Sequence, residues 1–333
     1  MREEKNQRKS VIFNTKLFLL AVIISVGFRV FAFLDPQQQQ VFLLDLPILS
    51  LLHLKVPFFS IIYTIGLNVL LAFCFVFLFQ YNTTKYSLLR IRSLFPFFFA
   101  LILSNLNPNI SDTNLNYILS LGLMFVYFRL FDCYELENLQ LKVFDLSVCM
   151  GFLCLLDIRL VCLMPVFWYV LFSYRALTAK VFMASLFGLS TAFGALLIYL
   201  IFTGKEFASI FPIFREITEI DRQFFSPRTI ARMVYLGTIF VTCFISYLNL
   251  RKNADGVRIR VIMGSLRVAL ICTNMLSACL FPSSDLMLAA TIVPMALLLG
   301  YLFSSISGWF YRILFFLFTA AVITNFAFLL WKY

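Results

Sequence analysis

The chain reads as an all-α protein, a polytopic transmembrane helix bundle, on three grounds. It is 62% hydrophobic and only 13% charged, with 42 Phe and a mean hydropathy of +0.94, where an ordinary soluble domain is about 25% charged. Apolar runs recur along its whole length, and a helix needs about 20 such residues to cross a hydrocarbon core, fewer inside a bundle. Lys and Arg collect between alternate runs, as they do in short cytoplasmic loops.

The first run, 11–34, follows the polar segment MREEKNQRKS. It is too long for the apolar region of a secretory signal and no small-residue cleavage site follows, so it is expected to stay as an anchor. Further spans are expected at 57–80, 93–106, 114–131, 143–156, 159–174, 181–203, 229–250, 261–281, 285–303 and 308–331. That makes about eleven spans, or about nine if 143–156 and 159–174 form one re-entrant pair. The short members need neighbours to satisfy their backbone groups.

Charge sets the orientation. With the N-terminus and every second loop in the cytoplasm, those segments hold the whole formal surplus of +11. It is carried by the N-terminal segment and by 85–92, 175–180 and 251–267, while the other side balances. The expectation is a cytoplasmic N-terminus and a multi-pass membrane protein, with 1–333 forming a single integral membrane domain.

Two outer segments are more than turns. Residues 35–56 contain VFLLDLPILSLLHL, apolar but too short to span, which is expected to lie along the interface. In 204–228, Phe207, Ile210, Phe211 and Phe214 fall at i, i+3, i+4 and i+7, the period of an amphipathic helix.

Several function classes drop out. Basic charge scattered between apolar runs excludes nucleic acid as a partner, and leaves membrane lipids. The eight Cys lie mostly inside apolar segments without a Cys-x-x-Cys pair, and His53 is the only histidine, so no metal and no cofactor are implied. Charges near the membrane core are functional candidates. Arg29, Asp35 and Asp45 cluster in the first outer region, and Asp157 and Arg159 flank the turn LCLLDIRLVCL. Asp35 and Asp45 are the candidate catalytic carboxylates, able in principle to take a proton from a sugar hydroxyl. Arg29, Asp157 and Arg159 are the candidate substrate-binding groups, because a guanidinium fork suits phosphate. Asp145, Arg267 and Arg312 are expected to reach the inner interface by snorkelling.

From about Asn105 onward three stretches carry a resemblance: TNLNYILSLGLMFVYFRLF (113–131), FDLSVCMGFLCLLDIRLVCLMPVFWYVLFSYRALTAKVFMASLFGLSTAFGALLIYL (144–200) and LMLAATIVPMALLLGYLFSSISGWFYRILFFLF (286–318). They resemble an uncharacterised Bacteroidota family of polytopic inner-membrane proteins, a domain of unknown function. The family's Pro-Phe-x-Trp-Arg-Glu-Trp-like inner loop is represented here only by Phe172-Ser173-Tyr174-Arg175-Ala176-Leu177. A more distant likeness, through 93–131, is to multi-span glycosyltransferases that use lipid-linked sugars. That likeness implies a lipid-linked glycan as partner. The resulting expectation is an accessory or scaffold protein of envelope biogenesis, with a glycosyltransferase-like enzyme as the alternative and a transporter as the third reading.

Overall fold

The computed structural model describes residues 61–86, 88, 94–104, 110–134, 139–202, 256–279 and 285–305, with scattered positions in 16–27, 237–245 and 313–324. Every element among them is a helix. In chain order these are α1 (Ile61–Lys85), α2 (Phe95–Ser104), α3 (Ile110–Phe131), α4 (Gln140–Leu156), a 3-10 helix (Ile158–Leu163), α5 (Met164–Ser173), α6 (Ala179–Phe202), α7 (Val257–Cys279) and α8 (Asp285–Ser305). Their positions follow the apolar runs, because a helix satisfies every internal N–H and C=O within its own segment. Three of them, over Gly66–Lys85, Ala179–Phe202 and Val257–Ser277, are long and apolar enough to cross a membrane. Phe95–Ser104, Asn116–Phe131, Ile158–Ser173 and Ala289–Ser304 are shorter apolar helices.

One run folds differently from its expectation as a uniform helix over 159–174. Residues 158–163 are 3-10, and α geometry starts only at Met164. Pro165, in the first turn of α5, explains the switch: it has no N–H to donate, and its ring crowds the carbonyl four residues upstream. The tighter winding also lengthens the segment. At about 2.0 Å per residue for 3-10 and 1.5 Å for α, the pair reaches about 27 Å, close to the roughly 30 Å of a hydrocarbon core.

Contacts fix the helix directions. Phe75 meets Tyr117, Phe79 meets Phe128 and Tyr86 meets Phe131, so α1 and α3 advance in step and are parallel. A Cβ on Gly188 would lie 2.8 Å from Ser147 Cβ, and one on Gly151 would lie 2.7 Å from Ala192 Cβ, so α4 and α6 are parallel too. Their backbones approach this closely because Ser147, Gly151, Gly188 and Ala192 are small and spaced four apart, the pattern that brings membrane helices together. The helices between them run back, and the ends of α1, α3 and α5 therefore share one end of the bundle with the starts of α4 and α6.

The centre belongs to α8. Every side chain from Ala289 to Phe303 is buried, enclosed by α2, α3 and α7. Gly300 lets α2 cross closely, since a Cβ there would lie 2.9 Å from Pro96 Cα. Around the crossing Phe95, Phe98, Phe99, Phe303 and Phe315 interlock, with centroids from 5.1 Å for Phe98–Phe315 to 6.5 Å for Phe95–Phe99. Helices α1 and α6 are peripheral and show apolar faces outward, with Phe73, Phe77, Phe187 and Ile198 all exposed.

Candidate functional site

Of the five sequence-selected site residues, the structure describes two. Arg29, Asp35 and Asp45 lie outside the described residues, as do the outer segments 35–56 and 204–228. Asp157 and Arg159 form the junction between α4 and the 3-10 helix. Asp157 adopts an extended conformation (φ −143°, ψ 111°) in which its N–H donates to the Leu153 carbonyl at 3.2 Å, ending α4. Its Oδ1 accepts the Arg159 N–H at 3.0 Å, so the same residue starts the next helix as its N-cap. Next to it, Ile158 packs with Leu196 and Leu200 near the end of α6. The junction thus sits just below the end of the bundle opposite the starts of α4 and α6. Asp157 is buried at 5% exposure, and Arg159 is half-buried. The arrangement fixes a carboxylate and a guanidinium two residues apart at that end.

The other end is basic. Tyr86, just past α1, donates its hydroxyl to Asp132 Oδ2 at 2.8 Å, and Arg129 approaches the same oxygen at 3.7 Å. Burial and the neighbouring carboxylate together push the Tyr86 phenol far above its ordinary range, so it stays a hydrogen-bond donor. Tyr174 leaves α5 and is fully buried, with its hydroxyl 2.9 Å from that of Ser265. Its ring meets Tyr134 edge to face at 5.9 Å. Arg258 donates to the Phe131 carbonyl at 3.5 Å. Together the last contacts bring the start of α7 to this end. Burial raises the Cys133 thiol to about 11, so it is protonated and inert at neutral pH.

Arg267 lies deeper than its sequence suggests, because α7 begins at Val257 and not at 261. It is about 15 Å along the helix from that start. Its side chain folds back one turn, Nε donating to the Met263 carbonyl at 3.3 Å. It passes over Gly264, where a Cβ would be 3.7 Å from Nη2. The side chain thus runs back toward the start of α7, and Gly264 leaves room for it.

Polar side chains inside the bundle are the residues that charge-based reasoning missed. Ser104 donates to the Tyr117 hydroxyl at 3.0 Å, and Ser120 reaches the Ala289 carbonyl at 3.5 Å. Trp168 Nε1 donates to Ser185 at 2.9 Å. Asn116 and Asn274 are buried, and Asn116 Oδ1 and both amide atoms of Asn274 lack hydrogen-bond partners. The Asn residues inside the runs TNLNYILS and ICTNMLS are the signal that could have found them. Among the described residues no three His, Cys, Asp or Glu side chains gather as metal ligands.

No family model, curated protein or solved structure matches the chain.

Proposed function

We propose that this chain is a multi-pass inner-membrane protein of about eleven spans, with a cytoplasmic N-terminus, that serves as an accessory or scaffold component in bacterial envelope biogenesis. The observation that carries this reading is the enclosure of α8. A helix buried along its length between α2, α3 and α7 belongs to a filled bundle, the form suited to holding partners in fixed positions. The reach of the 3-10 helix plus α5 supports a full crossing there, and so favours eleven spans over nine. The gathering of Lys85, Arg129, Lys142, Lys180 and Arg258 at one end supports an orientation with that end in the cytoplasm.

Reporter fusions test the orientation: those at Lys180 and Lys252 are expected to report cytoplasm and one at Tyr333 periplasm. A cytoplasmic Tyr333 changes the span count by one. The role is tested by complementing a deletion strain with the combined variant Asp35→Asn, Asp45→Asn and Asp157→Asn. Full restoration of envelope integrity is the expected result.

The lipid-linked-sugar enzyme is retained as a second reading because a buried carboxylate, Asp157, sits at the end of the bundle assigned to the outside. On that reading the same variant is expressed normally and fails to complement.

A further inference from the structure

The basic end contains a residue held against its conformational preference. Among the described residues, Arg175 alone is a non-glycine with positive φ, at 58°. The Ala176 N–H donates to the Leu171 carbonyl at 3.0 Å and the Arg175 N–H to the Phe172 carbonyl at 2.9 Å. This pair of bonds is the Schellman closure of α5, and the position Arg175 occupies is the one glycine normally takes. The neighbours Leu171, Tyr174 and Ala176 are buried, while Arg175 is exposed. A strained backbone that ends by presenting a guanidinium to the surroundings points to a use for that charge.

Other cations surround it. Parallel α4 and α6 put Lys142 and Lys180 at this end, and α7 starts here with Arg258 and Arg260, all four exposed. Asp132 and Asp145 share the end and leave it positive. What identifies the partner is the apolar side chain beside each cluster of charge. Leu141 is 79% exposed next to Lys142, Phe172 is 68% exposed three residues before Arg175, and Val257 is 62% exposed next to Arg258. A nucleic acid or a free anion would leave these in water. A phospholipid covers both at once, its phosphate against the cation and its acyl chains against the apolar group.

We propose that this end is a docking surface for anionic phospholipid headgroups, centred on Arg175 and completed by Lys142, Lys180, Arg258 and Arg260. The proposal rests on the chain being a membrane protein, and the proposed orientation decides only which leaflet supplies the lipid. The test in detergent is therefore independent of orientation, and a failed reporter fusion leaves its outcome intact.

The full-length protein in neutral detergent is titrated with dioleoylphosphatidylglycerol or dioleoylphosphatidylcholine, and retained lipid is counted by native mass spectrometry. The wild type is expected to retain phosphatidylglycerol preferentially. Arg175→Gly is the decisive variant because its two effects have opposite signs. It relieves the strained turn, raising Tm by about 1–2 °C. It also weakens phosphatidylglycerol retention about fivefold, the factor equivalent to about 1 kcal/mol per basic residue at an anionic surface. Lys142→Gln with Lys180→Gln, both exposed, is expected to weaken retention further with Tm unchanged. Equal retention of the two lipids by the wild type overturns the proposal. So does unchanged phosphatidylglycerol retention in Arg175→Gly, or displacement of the lipid by inorganic phosphate at equal concentration, which marks a free-anion site.

Discussion

Asp157 shows how a charged residue in an apolar hairpin can have a backbone role. Its Oδ1 caps the 3-10 helix through the Arg159 N–H, and that role needs an oxygen acceptor, with no requirement for charge. Asn caps as well as Asp, whereas Ala loses about 1 kcal/mol. Thermal unfolding is therefore expected to show Asp157→Asn close to wild type and Asp157→Ala less stable by about that amount. Equal destabilisation by both would mean that the charge itself holds the junction. The sequence drew attention to this residue as a candidate substrate-binding group, since a carboxylate between two short apolar runs is expensive to bury. It carried no sign of the cap, because capping depends on the extended backbone at Asp157 that only the folded junction defines. Arg175 is the reverse case: nothing in FSYRAL marks a left-handed residue, as glycine would have.

Between helices, small residues set the distances. Gly188 lies 2.5 Å, measured from an ideal Cβ, from the Phe144 carbonyl and 2.8 Å from Ser147 Cβ. A methyl group there must displace main chain as well as side chain, so even Gly188→Ala is expected to destabilise. Overpacking of this kind costs about 1–3 kcal/mol, and Gly188→Leu should exceed it and abolish monodisperse purification. Gly194, on the same helix with nothing within 4 Å of its Cβ, is the matched control, where Ala is expected to be tolerated. Size-exclusion profiles of the three variants check the contrast, and indistinguishable profiles would contradict the parallel α4–α6 crossing. Helix positions were legible because apolar runs and polar breaks coincide with them, from α1 through α8. The pairing of α4 with α6 was not, since a small-residue spacing names a sticky face without naming its partner. The 3-10 start before Pro165 was readable in principle, from the missing N–H.

The bundle taken entire is organised by polarity along one direction and by burial across it. Among the described residues, Lys85, Arg129, Lys142, Lys180 and Arg258 gather at one end, and the membrane-crossing potential of α1, α6 and α7 follows from composition. The identity of the central helix was invisible beforehand: α8 reads no more apolar than α6, yet α8 is enclosed and α6 is peripheral. Hydropathy reports transfer into an apolar medium and cannot separate lipid from protein as that medium, because lipid tails are as apolar as Leu. Removing α8 exposes the faces of α2, α3 and α7 that it covers. A chain ending at Cys279 is accordingly expected to be degraded in cells, with a half-life well below that of the full protein in a pulse-chase experiment. Equal half-lives would mean that the remaining helices close the gap. The central position of α8 also has a consequence in time. At about 5–20 residues per second of synthesis, α8 leaves the ribosome roughly 10–40 s after α2, so the helices made first must wait beside an unfilled groove for the one they are built around. During that interval the groove stays open, and whether the early helices are well packed is decided only when α8 arrives.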